Sequence, residues 1–348
     1  MIRICVDVMG GDHAPAAIMD GVGEALDMYG DTYHLLLVGP QKTVEQELQR
    51  IGKAGDSRIE IVDAPDVIQM GEHPANAVKA KKTTASICIC FQCVKDGRAD
   101  AVFSAGNTGA CVACGTLFFW GRSPNVSRPA LGTLFPSEGK PFLLVDAGAT
   151  TDCSPEWLFQ FALMGSIFME EVIGRPRPAV GLLSNGTEPE KGCKLTLATH
   201  ALLTQAHEKG IINFVGNVEG HGIFAGDLDV LVCDGFVGNV FLKSSEQLAV
   251  SVGHILKKGI LKSFWRKLGA LLVKGAFKEL KKQTDYNEYG GAPLLGVKGV
   301  CIVGHGISDA KAVRNGIRLA GDCVAKDVSS LFSERIGKAM SEIDVETH

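Results

Sequence analysis

Hydrophobic and polar positions along this chain come in repeating blocks: a short β-branched run, a glycine-rich polar loop, then apolar residues at helical spacing. Repeated through the length of the chain, that order predicts a mostly parallel α/β sheet with helices on its faces. Strands are expected at 2–8, 34–38, 59–62, 101–104, 142–145, 179–183, 212–215, 230–233 and 300–303. Six of them run into distinctive loops. These read D-V-M-G-G-D-H at 7–13, S-A-G-N-T-G at 104–109, D-A-G-A-T at 146–150, S-N-G-T-E-P-E-K-G at 184–192, D-G-F-V-G-N at 234–239 and G-H-G-I-S-D at 304–309. In a parallel sheet the ligand crevice lies beyond the carboxyl ends of the strands, so loops of this kind are expected to converge there. Glycine lets backbone approach an anion closely, and the N–H groups at a helix start add hydrogen bonds and the positive end of the dipole. Phosphate is the guest that suits six such loops, although any one of them could need glycine for its turn alone.

Between the fifth and sixth loops the pattern breaks. Residues 254–282 hold nine Lys or Arg against one acid, Glu279. That stretch carries +8, which leaves −12 on the remainder of a chain whose total is −4. At about 100° per residue, Ile260, Leu261, Phe264, Trp265, Leu268, Leu271 and Leu272 fall on one arc, with Lys262, Arg266 and Lys267 elsewhere. A basic amphipathic helical insertion is expected, turned near Gly275. Two uses fit it: a core-facing helix with a solvated basic back, or a surface for an anionic membrane or an acidic partner.

Composition narrows the classes. With 348 residues the chain can form one large α/β unit or two closely joined lobes. Its 42 glycines follow no G-X-Y period, which excludes a collagen-like chain, and a net charge of −4 argues against a general nucleic-acid binder. The opening M-I-R-I-C-V-D-V lacks a signal-peptide apolar region, and the longest small and apolar stretch, 110–120, is shorter than the roughly 18 residues of a spanning helix. Eleven cysteines scattered through apolar runs suit a reducing cytoplasm. Cys90-x-x-Cys93 and Cys111-x-x-Cys114, with 17 residues between them, match the spacing of a four-thiolate zinc site. Their setting among Ile and Phe on expected helices, with no glycine knuckle, favours core packing over metal. The chain contains no G-x-x-x-x-G-K-[ST], no G-x-G-x-x-G, no G-x-S-x-G elbow and no His-Glu-x-x-His, so neither a familiar nucleotide cradle nor a covalent nucleophile is announced.

At V-D-V-M-G-G-D-H-A-P, S-A-G-N-T-G-A, the paired Lys81 and Lys82, C-D-G-F-V-G-N-V and E-Y-G-G-A-P-L-L-G at 288–296, the chain resembles the bacterial phosphate:acyl-ACP acyltransferase family, PlsX. The resemblance runs from Val6 to about Ile317. It implies transfer of a fatty acyl group from acyl carrier protein to inorganic phosphate, giving acyl phosphate for phospholipid synthesis without a cofactor. It also implies a three-layer α/β/α fold similar to the isocitrate and isopropylmalate dehydrogenase group and phosphate acetyltransferase, a homodimer, and peripheral association with the inner membrane face. Three departures stand out: Thr150 where Asn is expected, Gly304 where Ser commonly precedes His305, and Lys79 at a frequent Arg position.

Within that resemblance, bound phosphate can attack the thioester itself, so the enzyme's work is positioning and charge. Gly10, Gly11, Asn107, Thr108 and Gly109 are the expected phosphate contacts, with Lys191 as a nearby charge. His13, His305 and Asp12 are the catalytic candidates; either imidazole could protonate the departing thiol or serve only as a structural hydrogen bond. Asp7, Asp146 and Asp234 close three strands and are expected to cap loops rather than bind metal. Lipid contact is expected from Ile260, Leu261, Phe264, Trp265, Leu268 and Leu271. Two other classes remain open on such a sheet: a nicotinamide- and metal-dependent dehydrogenase, and a non-catalytic membrane scaffold.

Overall fold

The computed structural model describes residues 1–284 and 286–343. The chain first lays down β1 (Ile2–Asp7), α1 (Ala16–Tyr29), β2 (Tyr33–Gly39), α2 (Gln41–Arg50), β3 (Ile59–Asp63), α3 (Pro74–Ala80), α4 (Ser86–Lys95), β4 (Ala101–Ser104) and α5 (Thr108–Ala113). Next come β5 (Ala130–Phe135), β6 (Phe142–Val145), α6 (Pro155–Glu171), β7 (Ala179–Leu183), α7 (Lys194–Glu208), β8 (Asn213–Val218) and β9 (Val230–Val232). Three successive helices follow, α8 (Gly235–Leu261), α9 (Phe264–Leu272) and α10 (Lys274–Thr284), before β10 (Ala292–Leu295), β11 (Val300–Val303), α11 (Ala310–Ala325) and α12 (Val328–Glu342).

The eleven strands of the described residues join one sheet in the order β3-β2-β1-β4-β11-β10-β5-β6-β9-β7-β8. Side chains of successive strand residues point to opposite faces, and the two apolar layers show it. Ile4, Val6, Leu35, Leu37, Phe103, Leu143 and Val145 enter the layer under α1, α2, α6, α7, α11 and α12. Their neighbours Cys5, Leu36, Val38, Val102, Phe142 and Leu144 enter the layer under α3, α4 and α5. The result is a three-layer α/β/α sandwich.

The nine expected strands are present, and β5 and β10 are additional to them. Both are antiparallel to their neighbours: β10 to β11 and to β5, and β5 to β6. Three successive reversals leave β6, β7, β8 and β9 running opposite to β1, β2, β3, β4 and β11. The six loops therefore divide into two groups that leave strands of opposite direction. Pro293 argues against a central strand at β10, since it cannot donate to a ladder. It is accommodated because β10 uses Ala292 and Pro293 against β11 and Leu294 and Leu295 against β5.

Cys88, Cys90, Cys111 and Cys114 are fully buried in the layer under α4 and α5. Cys90 and Cys93 lie against Cys5, Cys111 against Cys301, and Cys88 Sγ is 3.9 Å from Cys114 Sγ. The two C-x-x-C pairs thus face different neighbours, and burial pushes the Cys90 thiol up to about 12.

The basic segment is three helices: the turn expected near Gly275 falls at Val273, between α9 and α10, and a second, unexpected one separates α8 from α9. α8 is 27 residues long and buries only Gly235 and Gly238, and the chain turns at Lys262 and Ser263 into α9, none of whose residues is buried. Ile260 and Leu261 therefore belong to α8, and Phe264, Trp265, Leu268 and Leu271 to α9. Ile260 lines an open groove of about 490 Å³ together with Ile255, Leu256, Ala270, Val273 and Phe277. Phe264, Trp265 and Leu271 are 72%, 76% and 67% exposed, which removes the core-facing reading. The side chains of Lys281 and Lys282 lie outside the described residues. No helix among the described residues is long and apolar enough to cross a membrane.

Candidate active site

Three strand ends of the first half of the sheet meet at one place. The Ser104 hydroxyl closing β4 donates to Asp7 Oδ2 closing β1 at 2.7 Å, and Gly106 N donates to Ser104 Oγ at 3.1 Å. Gly304 N, just past β11, donates to Ser104 O at 2.8 Å, and Asp12 N donates to Gly306 O at 2.7 Å. Burial raises the Asp7 carboxyl against the opposing pull of these donors. Glycine is needed where the loops touch. A Cβ on Gly10 would sit 2.8 Å from both Asp7 Oδ2 and Gly106 N, and Gly11 adopts φ +112° with Gly306 O 3.1 Å from a Cβ position. Only glycine adopts that backbone without strain.

Gly10, Gly11, Asp12, Asn107, Thr108, Gly109 and His305 thus share one set of loops. Their environments differ. Asn107 caps α5, accepting from Ala110 N at 3.0 Å, while its amide group donates to the carbonyls of Gln69, Met70 and Glu72. Its side chain is committed to holding the loop before α3 in place. Thr108 is exposed at the first turn of α5. Gly109 has a packing reason for lacking a side chain, because a Cβ there would lie 2.5 Å from Pro74 Cγ. His13 and Asp12 are exposed. Lys191 is exposed in the loop after β7, with its N–H bonded to Glu188 O.

A second set of loops closes the other half of the sheet. Asp146, fully buried, accepts from Leu131, Gly148, Ala149 and Thr150 N–H groups at 2.6–3.0 Å. Burial nonetheless keeps its carboxyl above the ordinary range. Asp234 caps α8 through Val237 N at 2.9 Å. A Cβ on Gly238 would come within 1.9 Å of Asp146 O, so the D-G-F-V-G-N motif is what seats the start of α8 on the loop after β6. At Thr150 the hydroxyl donates to Pro129 O, a contact an amide is not required to make.

α8 then carries two residues to the first set. Lys243 Nζ is 3.3 Å from His305 Nε2 and 3.1 Å from Glu246 Oε2, and Glu246 Oε2 is 3.6 Å from the same ring nitrogen. Ile307 N donates to His305 Nδ1 at 3.3 Å. Burial raises the Glu246 carboxyl, but His305 and Lys243 outweigh it and hold the group below its ordinary value. Neither Lys243 nor Glu246 was expected from the sequence. They lie one to two turns beyond the D-G-F-V-G-N motif, on a helix whose surface pattern gives no reason to single them out.

The fold is that of the phosphotransacetylases. It superposes on a phosphotransacetylase from Streptococcus pyogenes with a TM-score of 0.64 at 15% identity, covering 93% of this chain and 94% of that one. A branched-chain phosphotransacylase from Enterococcus faecalis gives 0.56 at 15% identity, covering 94% and 100%. A family model described as "Fatty acid synthesis protein" matches residues 2–331. The phosphate acyltransferase of Desulforamulus reducens is 46% identical over 97% of this chain and 98% of its own. That of Halothermothrix orenii is 45% identical over 97% and 99%. The chain belongs to the phosphate acyltransferase family, as its resemblance to PlsX implied.

Proposed function

We propose that this phosphate acyltransferase moves a fatty acyl group from acyl carrier protein to inorganic phosphate at the loops that close β1, β4 and β11. The observation that carries the reading is the meeting of three glycine-bearing loops, Gly10–Gly11, Gly106–Gly109 and Gly304–Gly306, around no nucleophile elbow. Backbone N–H groups there hold phosphate, with Thr108 at the open first turn of α5 and Asn107 fixing the loop geometry. A phosphate oxygen attacks the thioester carbonyl carbon, and the tetrahedral oxyanion draws on the same donors. The carbon–sulfur bond then breaks, the thiolate takes a proton, and acyl phosphate and free carrier leave. His305 is better placed than His13 to manage that proton, because its ring is held by Ile307, Lys243 and Glu246.

The exposed apolar residues of α9, beside the basic residues of the same segment, support peripheral contact with an anionic membrane from the cytoplasmic side. Leu248, Val252 and Ile255 are 66%, 54% and 71% exposed along α8, an apolar run that suits cover by a second copy of the chain. A finer kinship of the fold with the isocitrate and isopropylmalate dehydrogenases belongs to the same proposal.

The test is direct. Purified protein should consume acyl-ACP only when phosphate is present and release acyl phosphate. Rapid hydrolysis without phosphate, or a trapped acyl-enzyme, refutes attack by bound phosphate.

A further inference from the structure

The three loops assigned to phosphate contain no Lys or Arg, while they do contain Asp7, Asp12 and Asp309. A phosphate mono- or dianion placed there gains from backbone dipoles, but the side chains of its own loops offer it no fixed positive charge. Lys191 lies in the loop after β7 and comes from outside those three loops. Lys243 does reach the site: it projects from α8, is 57% exposed, and touches His305 at 3.3 Å. Glu246 holds it from one turn further along the helix at 3.1 Å and approaches the same ring at 3.6 Å.

We propose that Lys243 is the cation that engages phosphate across the two halves of the sheet, and that Glu246 is a positioning residue which aims both Lys243 and His305. This rests on the phosphate acyltransfer reading above and adds a binding residue and its support to it. An ammonium carries three donors and no acceptor. With one N–H directed to Glu246, the others are free to turn from the imidazole to a phosphate oxygen. Glu246 remains charged in that position, so removing Lys243 leaves a carboxylate facing the anion, and removing Glu246 leaves the lysine stem free to swing into solvent. A plain surface pair at i, i+3 would contribute little and would not distinguish phosphate from any other substrate.

The experiment uses the full chain and steady-state kinetics in inorganic phosphate and in acyl-ACP separately. Lys243→Met should raise the phosphate KM by about ten- to a hundredfold, the loss of one charge-assisted hydrogen bond, with the acyl-ACP KM within about twofold. Lys243→Arg should recover most of it. Glu246→Gln should move the phosphate KM in the same direction by a smaller factor. On top of Lys243→Met it should add less than about twofold, because the two act as one unit. Thermal melts read the binding without turnover: phosphate should raise the melting temperature of the parent and fail to do so for Lys243→Met. An unchanged phosphate KM in Lys243→Met overturns the assignment, and additive effects of the two substitutions overturn the positioning role of Glu246. Should Lys243→Met itself melt well below the parent, Lys243→Gln is read by the same criteria. A parent protein that makes no acyl phosphate refutes the reaction instead, while its phosphate-dependent melting still reports on Lys243.

Discussion

Trp265 and Leu271 give the sharpest separation between a membrane-contact hairpin and a merely solvated one. They are 76% and 67% exposed, and no residue of α9 is buried. Fully burying a large apolar side chain is worth about 1.5–3 kcal/mol. Scaled by the fractions still open to solvent, truncating both residues to Ala should remove about 2–4 kcal/mol of membrane transfer, or roughly 30- to 1,000-fold in partitioning. The same substitutions touch no core, so folding stability should shift by no more than about 0.5 kcal/mol each. The assay is flotation with vesicles containing anionic lipid, paired with thermal melts of Trp265→Ala/Leu271→Ala. A companion, Lys262→Glu/Lys267→Glu, should weaken flotation by about 1 kcal/mol or more per reversed charge, and less so at high salt. Undiminished flotation of the apolar variant, or a destabilisation of about 2–5 kcal/mol typical of a core truncation, refutes the reasoning.

Two further expectations concern other parts of the chain. Gly109→Ala should destabilise by about 1–3 kcal/mol through overpacking on Pro74 with little effect on the phosphate KM, whereas Gly11→Ala, at φ +112°, should raise that KM more for an equal loss of melting temperature; equal KM shifts would make both glycines structural. Cys193 is the one exposed residue among eleven free cysteines, and the Thr196 backbone N–H at the start of α7 lowers its thiol below the ordinary value. Its thiolate therefore accumulates at a lower pH than that of an ordinary cysteine, so one thiol should react fast in the native protein and Cys193→Ser should abolish that phase; two fast thiols would contradict the burial of nine of the others and the raised thiol of half-buried Cys153.

The β-branched runs and glycine loops made nine strands and the site loops legible, because both depend on local periodicity. What escaped was direction. β5 follows a polar stretch and β10 contains Pro293, so neither looks like a central strand, yet these two strands reverse the sheet. Without them every strand appears to run the same way. Lys243 and Glu246 were illegible for a related reason: their importance comes from what α8 meets in space, on the far side of that reversal. The chemistry of Asp7, Asp146 and Asp234 as loop and helix supports could be read from their place at strand ends. The single helix expected across Ile260 and Leu271 was wrong at Lys262 and Ser263, because a continuous apolar arc does not exclude a turn between two amphipathic helices.

The position of β11 has a consequence for how the chain is made. It pairs with β4, Val300 against Ala101, so two neighbours in the sheet are separated by about 200 residues of synthesis. Emerging from the ribosome at about 5–20 residues per second, β4 presents an open edge for some ten seconds or more before its partner exists. The segment between them, by contrast, brings β6, β7, β8 and β9 out consecutively and can close on itself early. The half of the sheet that holds β1 to β4 is thus finished after the other, and the loops assigned to phosphate, which need β11, come together only once that strand has emerged.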